Sequence, residues 1–74
     1  MEKDIINVIA EIAEINLKKI SMASTLSGDL ELESLDLVTL VSTLEKKFDV
    51  SVNDNDIKDL QTVDDIINYV KEHL

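Results

Sequence analysis

Ser34 is the one side chain in this sequence whose setting suggests covalent chemistry. It stands in the run Asp29-Leu30-Glu31-Leu32-Glu33-Ser34-Leu35-Asp36-Leu37-Val38, where an acidic loop meets an apolar-periodic stretch that continues to Phe48. A serine hydroxyl becomes a working nucleophile only beside a base. The chain has a single histidine, His73, near its last residue and with no evident link to Ser34. It has no cysteine and no glycine-rich loop. No residue therefore reads as catalytic. A lone serine opening a helix in such a chain reads as a place to attach something, which suits a carrier better than a catalyst.

The remaining chemistry-bearing residues offer little. Asp54, Asp56 and Asp59 are closely spaced, but the central glycine and terminal glutamate of a calcium-binding loop are missing. With no cysteine and one histidine, a structural zinc site is excluded, so no metal ligand is expected. Phe48 and Tyr69, the only aromatics, read as core or boundary residues rather than a stacking platform.

Composition narrows the class further. The 74 residues carry a net charge of −9 from 16 acidic and 7 basic side chains. Such a chain repels nucleic acid and anionic membrane and attracts proteins with basic patches. An apolar fraction of 45% argues against disorder despite the charge. No apolar run approaches the roughly 18 residues of a membrane span, and the N-terminus lacks a signal-peptide pattern. The expectation is one domain over residues 1–74, monomeric and cytoplasmic. A domain of this size buries only about 60% of the surface its unfolded chain exposes, so its stability should be modest.

Hydrophobic periodicity predicts an all-α fold. Over residues 3–17, Ile5, Ile6, Val8, Ile9, Ile12, Ala13 and Ile15 share one arc of a helix, with charged residues opposite. Residues 18–33 break the pattern with Ser21, Ser24, Thr25, Ser27 and the only glycine, Gly28, and Met22, Leu26, Leu30 and Leu32 are expected to pin this long loop to the core. A second helix over 34–48 turns Leu37, Leu40, Val41, Leu44 and Phe48 inward. A short helical turn near 54–60 is expected to bury Ile57 and Leu60. Thr62 caps a last helix, 63–73, with Asp64 and Asp65 in its first turn, where negative charge is favoured. Three main helices, one short helix and a long first loop make a small bundle.

Ser34 also has a purely local explanation. Serine is a preferred N-cap, its hydroxyl accepting from a backbone N–H two or three residues on, and Asp36 suits the first turn. That reading leaves Leu35 and Val38 unexplained, because the inward arc of the second helix turns both toward solvent. Rimmed by Glu33, Asp36 and Glu45, they form a small apolar docking surface for a partner with a basic patch.

With those residues in view, the chain resembles an acyl carrier protein along essentially its whole length. The likeness rests on the amphipathic first helix, the long loop, and Glu33-Ser34-Leu35-Asp36 in place of the family's Asp-Ser-Leu signature. It continues through Leu40-Val41 and Leu44-Glu45-Lys46-Lys47-Phe48, and Thr62-Val63 opens a final helix ending on Tyr69-Val70. The resemblance implies that Ser34 receives 4′-phosphopantetheine from a phosphopantetheinyl transferase. The arm's thiol would carry an acyl chain as a thioester among acyl-processing enzymes of fatty acid or related synthesis. It also implies that the bundle shelters the acyl chain, with Val8, Ile12, Leu37, Val41, Leu44, Ile57, Leu60 and Ile67 as lining candidates.

The departures bear on which pathway the carrier would serve. Glu33 replaces the usual Asp, Glu31 stands where many relatives have glycine, and Thr39, Lys46 and Lys47 stand where housekeeping carriers are commonly acidic. A carrier specialised for polyketide, aminoacyl or other acyl groups is the alternative within the family. An acidic helical adaptor without a prosthetic group, docking through Leu35 and Val38, is the alternative outside it.

Overall fold

Isoleucines and valine at Ile5, Val8 and Ile9 recur at helical spacing, and the segment Glu2–Ala13 is helix α1. The computed structural model describes residues 1–74 and contains two further α-helices, α2 (Ser34–Phe48) and α3 (Val63–His73). Two 3₁₀ segments, Leu17–Lys19 and Asp54–Asp59, interrupt the connections. No strand forms, and a single antiparallel bridge joins Thr25 to Thr62. The all-α bundle expected from periodicity is present, with α1 packed against both α2 and α3.

α1 ends at Ala13, four residues before periodicity predicts. Glu14 turns into the left-handed region at φ 56°, and Ile15 donates its N–H back to the Ala10 carbonyl at 3.2 Å. This is a Schellman-type stop made without glycine. A left-handed glutamate costs about 1 kcal/mol. Folding Ile15 back against the core offsets that cost. α2 stops in the same way: Asp49 lies at φ 54°, Val50 donates to the Glu45 carbonyl at 3.2 Å, and Val50 is buried.

The long loop is held by backbone as much as by side chains. Leu26, Leu30 and Leu32 are buried as expected, whereas Met22 is exposed and pins nothing with its side chain. Its carbonyl does the work instead, accepting from Asp64 N–H at 2.9 Å. Ser24 carbonyl likewise accepts from Val63 N–H at 3.1 Å, and Leu26 N–H donates to Gln61 carbonyl at 2.8 Å. The loop thus satisfies the first free N–H groups of α3, which no residue of that helix can satisfy. Gly28 is required by a close approach, since a Cβ there would meet Thr25 Oγ1 at 2.6 Å. That hydroxyl is committed, accepting from Asp29 N–H at 2.9 Å while Asp29 Oδ2 accepts from Thr25 N–H at 2.9 Å.

Thr62 caps α3 as its sequence predicts. Its hydroxyl accepts from Asp65 N–H at 3.1 Å, and Asp65 Oδ2 accepts from Thr62 N–H at 3.0 Å, the reciprocal pattern of a capping box. Ile5, Ile9, Leu26, Leu40, Val63, Ile67 and Val70 form the fully buried centre. Ile57 and Leu60 are not buried with them. Both are half-exposed, because the 3₁₀ segment lies over the core edge rather than inside it.

Candidate functional site

α2 begins one residue earlier than a serine cap would place it. Glu33 is the N-cap, in extended backbone at φ −94°, and Ser34 is the first helical residue. Asp36 Oδ2 accepts from Glu33 N–H at 2.9 Å, so the carboxylate of the third position stabilises the helix start. The expected capping bond of Ser34 is absent. Its first-turn position points the hydroxyl outward, where it is exposed and has no hydrogen-bond partner in the chain. The N–H groups of Ser34 and Leu35 lie at the positive end of a 15-residue helix with no intrahelical acceptor. An open hydroxyl beside two free N–H donors fits a phosphodiester, which would gain around 0.3–1 kcal/mol from the helix dipole.

Leu35 is 79% exposed and Val38 55% exposed, so both face solvent as the helical phase predicts. Glu33, Ser34, Leu35, Asp36 and Val38 gather around the first turn of α2, with Asp36 half-buried by its capping role. Glu45 stands apart. It lies about 16 Å further along the helix axis, half-buried, with Oε2 accepting from Val52 N–H at 2.9 Å. It anchors the chain leaving α2, and only its other oxygen is free for a partner. Glu31 lies at φ 54°, a conformation that glycine adopts without strain.

One cleft brings together three of the residues expected to line a shelter for the acyl chain, Leu37, Ile57 and Leu60. It has a volume of about 560 Å³ and lies between Thr25–Gly28 of the loop, Leu37 on α2, and Ile57, Lys58 and Leu60 beside the 3₁₀ segment. Leu37, Ile57 and Leu60 all have the period of core residues and end half-buried at its rim. Val8, Val41, Leu44 and Ile67 are buried outright, and Ile12 is half-buried. Against the same 3₁₀ segment, Tyr69 donates its hydroxyl to Asp56 Oδ2 at 2.8 Å and accepts from Asn53 N–H at 3.2 Å. The Asn53 bond alone would favour phenolate. Burial, the Asp56 hydrogen bond and the charges of Asp56 and Glu45 outweigh it and raise the hydroxyl above its ordinary value. His73 stacks on the Tyr69 ring at 4.0 Å and bonds the Tyr69 carbonyl through Nδ1 at 2.8 Å, so it serves the end of α3. Asp54, Asp56 and Asp59 do not gather into a metal-binding group. No helix is long and apolar enough to cross a membrane.

The comparisons with known proteins bear on the family and the fold. The phosphopantetheine attachment site family matches residues 3–70. The acyl carrier protein of Chlamydia trachomatis is 34% identical over 99% of this chain and 95% of its own length. That of Clostridium perfringens is 36% identical over 89% of this chain and 87% of its own. A solved structure described as a candidate acyl carrier protein from Mycobacterium tuberculosis superposes with a TM-score of 0.90 at 30% identity, covering 96% of this chain and 95% of that one. The apo doublet acyl carrier protein from prodigiosin biosynthesis gives 0.82 at 20% identity over 97% of this chain and 35% of its own, which speaks for the fold alone. Members of the family are carriers that partner enzymes act on, usually in fatty acid or related biosynthesis. With a bundle of this topology and a match across nearly its whole length, the chain belongs to the acyl carrier protein family, whose prosthetic group is 4′-phosphopantetheine.

Proposed function

We propose that Ser34 is the attachment point of the 4′-phosphopantetheine arm and that residues 1–74 act as one cytoplasmic, monomeric carrier unit. The observation that carries this is the exposed, unpartnered Ser34 hydroxyl at the positive end of α2. When bound, the group supplies the thiol that this cysteine-free chain lacks, and with it thioester chemistry. The protein's own part is placement. The first turn of α2 offers Ser34 and Leu35 N–H groups to a phosphodiester, while Leu35 and Val38 give an apolar contact beside it. Glu33 and Asp36, with the free oxygen of Glu45, add negative charge for a basic docking patch on a phosphopantetheinyl transferase or an acyl-processing enzyme. The chain performs no catalysis itself.

Ser34→Ala tests the assignment. It should abolish labelling by a transferase supplied with a fluorescent coenzyme A analogue, read by gel fluorescence and intact mass. Because the Ser34 hydroxyl makes no capping bond, the variant should melt within a few degrees of wild type, below the roughly 1 kcal/mol of a lost cap. A labelled alanine variant would refute the assignment. The exposed Lys46 on α2 favours a specialised carrier over a general fatty-acid one, because a uniformly basic docking surface would be repelled there.

A further inference from the structure

The cleft between the loop, α2 and the second 3₁₀ segment has a charge pattern opposite to that of the chain. Acidic residues number 16 of 74, yet none lines this cleft, where Lys58 is the one ionised side chain. A second groove, between the end of α1 and the chain entering α2, is the reverse. Glu14, Glu31, Glu33 and Asp36 all line it, and no cation does. The polar side chains of the first cleft keep donors unspent. Lys58 has no ion-pair partner, since Lys71–Glu2 is the only such pair in the chain. Thr25 Oγ1 accepts from Asp29 N–H, which leaves its own O–H to give. Gln61 commits its backbone N–H to Asp65 Oδ2 at 3.0 Å and keeps its side-chain amide free. Leu37, Ile57 and Leu60 supply apolar wall. Leu37 stands three residues beyond Ser34, about 4.5 Å along α2 and about 60° around it. An arm fixed at Ser34 therefore starts one helical turn from the cleft.

On the carrier reading above, we infer that this cleft selects a short acyl cargo ending in a carboxylate, and that Lys58 is the residue that meets it. Apolar wall holds the methylenes of such a cargo, and a lysine with free hydroxyl and amide donors holds its charged end. A cargo of the same shape with an aliphatic end leaves those donors without a partner, so the cleft discriminates by the group it leaves unpaired. The acidic groove beside the first turn of α2 repels the same charge and adds to the preference for the Lys58 side. A plainer role exists for Lys58, as the cation of a 3₁₀ segment that also carries Asp54, Asp56 and Asp59. Those carboxylates do not bind it: Asp56 accepts from Tyr69, and no ion pair joins Lys58 to the others. The two roles differ in what they depend on. A lysine that only balances local charge acts alike under every cargo, whereas one that holds the cargo acts only when the cargo is charged.

The test loads the protein, through a promiscuous phosphopantetheinyl transferase, with coenzyme A derivatives carrying amide-linked groups that survive heating. One group is glutaryl; the other is its isostere with an isopropyl group in place of the carboxylate. Melting temperatures of the unacylated, glutaryl and isopropyl-ended forms are compared in wild type, Lys58→Gln and Lys47→Gln. Lys58→Gln should lower the glutaryl form by about 2–5 °C more than it changes the unacylated form. It should change the isopropyl-ended form no more than the unacylated one. Lys47 is exposed and stands about 15 Å along α2 from Leu37, away from the cleft. Lys47→Gln removes the same charge there and should show no loss specific to glutaryl. Equal changes across the three forms of Lys58→Gln, or a glutaryl-specific loss as large in Lys47→Gln, would overturn the inference while leaving the carrier reading intact. Loading of the wild type, read by intact mass, checks that reading separately; its failure would overturn the reading and this inference together.

Discussion

Truncating two leucines five residues apart on α2 should separate docking from folding. Leu40 is 0% exposed in the core that α1, α2 and α3 share, whereas Leu35 is 79% exposed. Leu40→Ala removes buried methylenes and leaves a cavity that three packed helices cannot fully close, costing about 3 kcal/mol within the usual range of 2–5. A chain of 74 residues has a total stability of roughly 4–11 kcal/mol. The substitution therefore removes a large fraction of the whole. At about 4–8 °C per kcal/mol for a domain this size, its melting temperature should fall by roughly 12–24 °C. Leu35 buries about a fifth of its surface, so its truncation should cost about 0.3–0.6 kcal/mol, less the small helix-propensity gain of alanine. A fall of no more than about 4 °C is expected. Circular dichroism melts and urea titrations measure both. The functional order should be opposite: Leu35→Ala should slow transferase loading several-fold, whereas Leu40→Ala, measured well below its melting point, should load almost normally. Should Leu35→Ala lose stability in the range of Leu40→Ala, the outward phase of α2 and the docking surface built on it would both be wrong.

Thr62→Ala should lower stability by about 1 kcal/mol, because the bond to Asp65 N–H is lost while the Asp65 carboxylate still holds Thr62 N–H; an unchanged melt would mean the cap contributes nothing. Tyr69 should titrate above its ordinary value of 10.0 in the folded protein, and Asp56→Asn should bring the midpoint down, read by phenolate absorbance. Since the folded state holds that proton more tightly than the unfolded one, the stabilisation it brings is present below the ordinary value. It is lost as pH rises through the raised one. An unshifted midpoint in Asp56→Asn would show that Asp56 has no part in it. Acyl chains of two to eight carbons on the loaded protein should raise its melting temperature stepwise, each CH₂ gaining up to about 0.8 kcal/mol by entering the cleft bounded by Leu37, Ile57 and Leu60; a flat series would place the cargo in water.

Much of this protein is local information. α2 and α3 span the residues that periodicity predicts, because each opens on a recognisable polar start and keeps one apolar stripe. The outward phase of Leu35 and Val38 follows from the same stripe, which is why that exposed apolar pair was legible in the sequence. The sequence was least informative where the fold departs from local preference. Glu14, Glu31 and Asp49 adopt left-handed backbone that their residue types disfavour. At Glu14 and Asp49 the compensation, packing of the half-buried Ile15 against the core and burial of Val50, exists only once the helices have packed. Ser34 has the composition of a cap, yet Glu33 took that place, since Asp36 could reach the Glu33 N–H. Met22 looked like a core anchor and became a carbonyl acceptor for α3, a bond between segments some forty residues apart. Local pattern determines which face of a helix is apolar. Where a helix stops, which half-apolar residues line a cleft rather than a core, and which carboxylates stay free for a partner depend on long-range contacts, and only the assembled bundle supplies those.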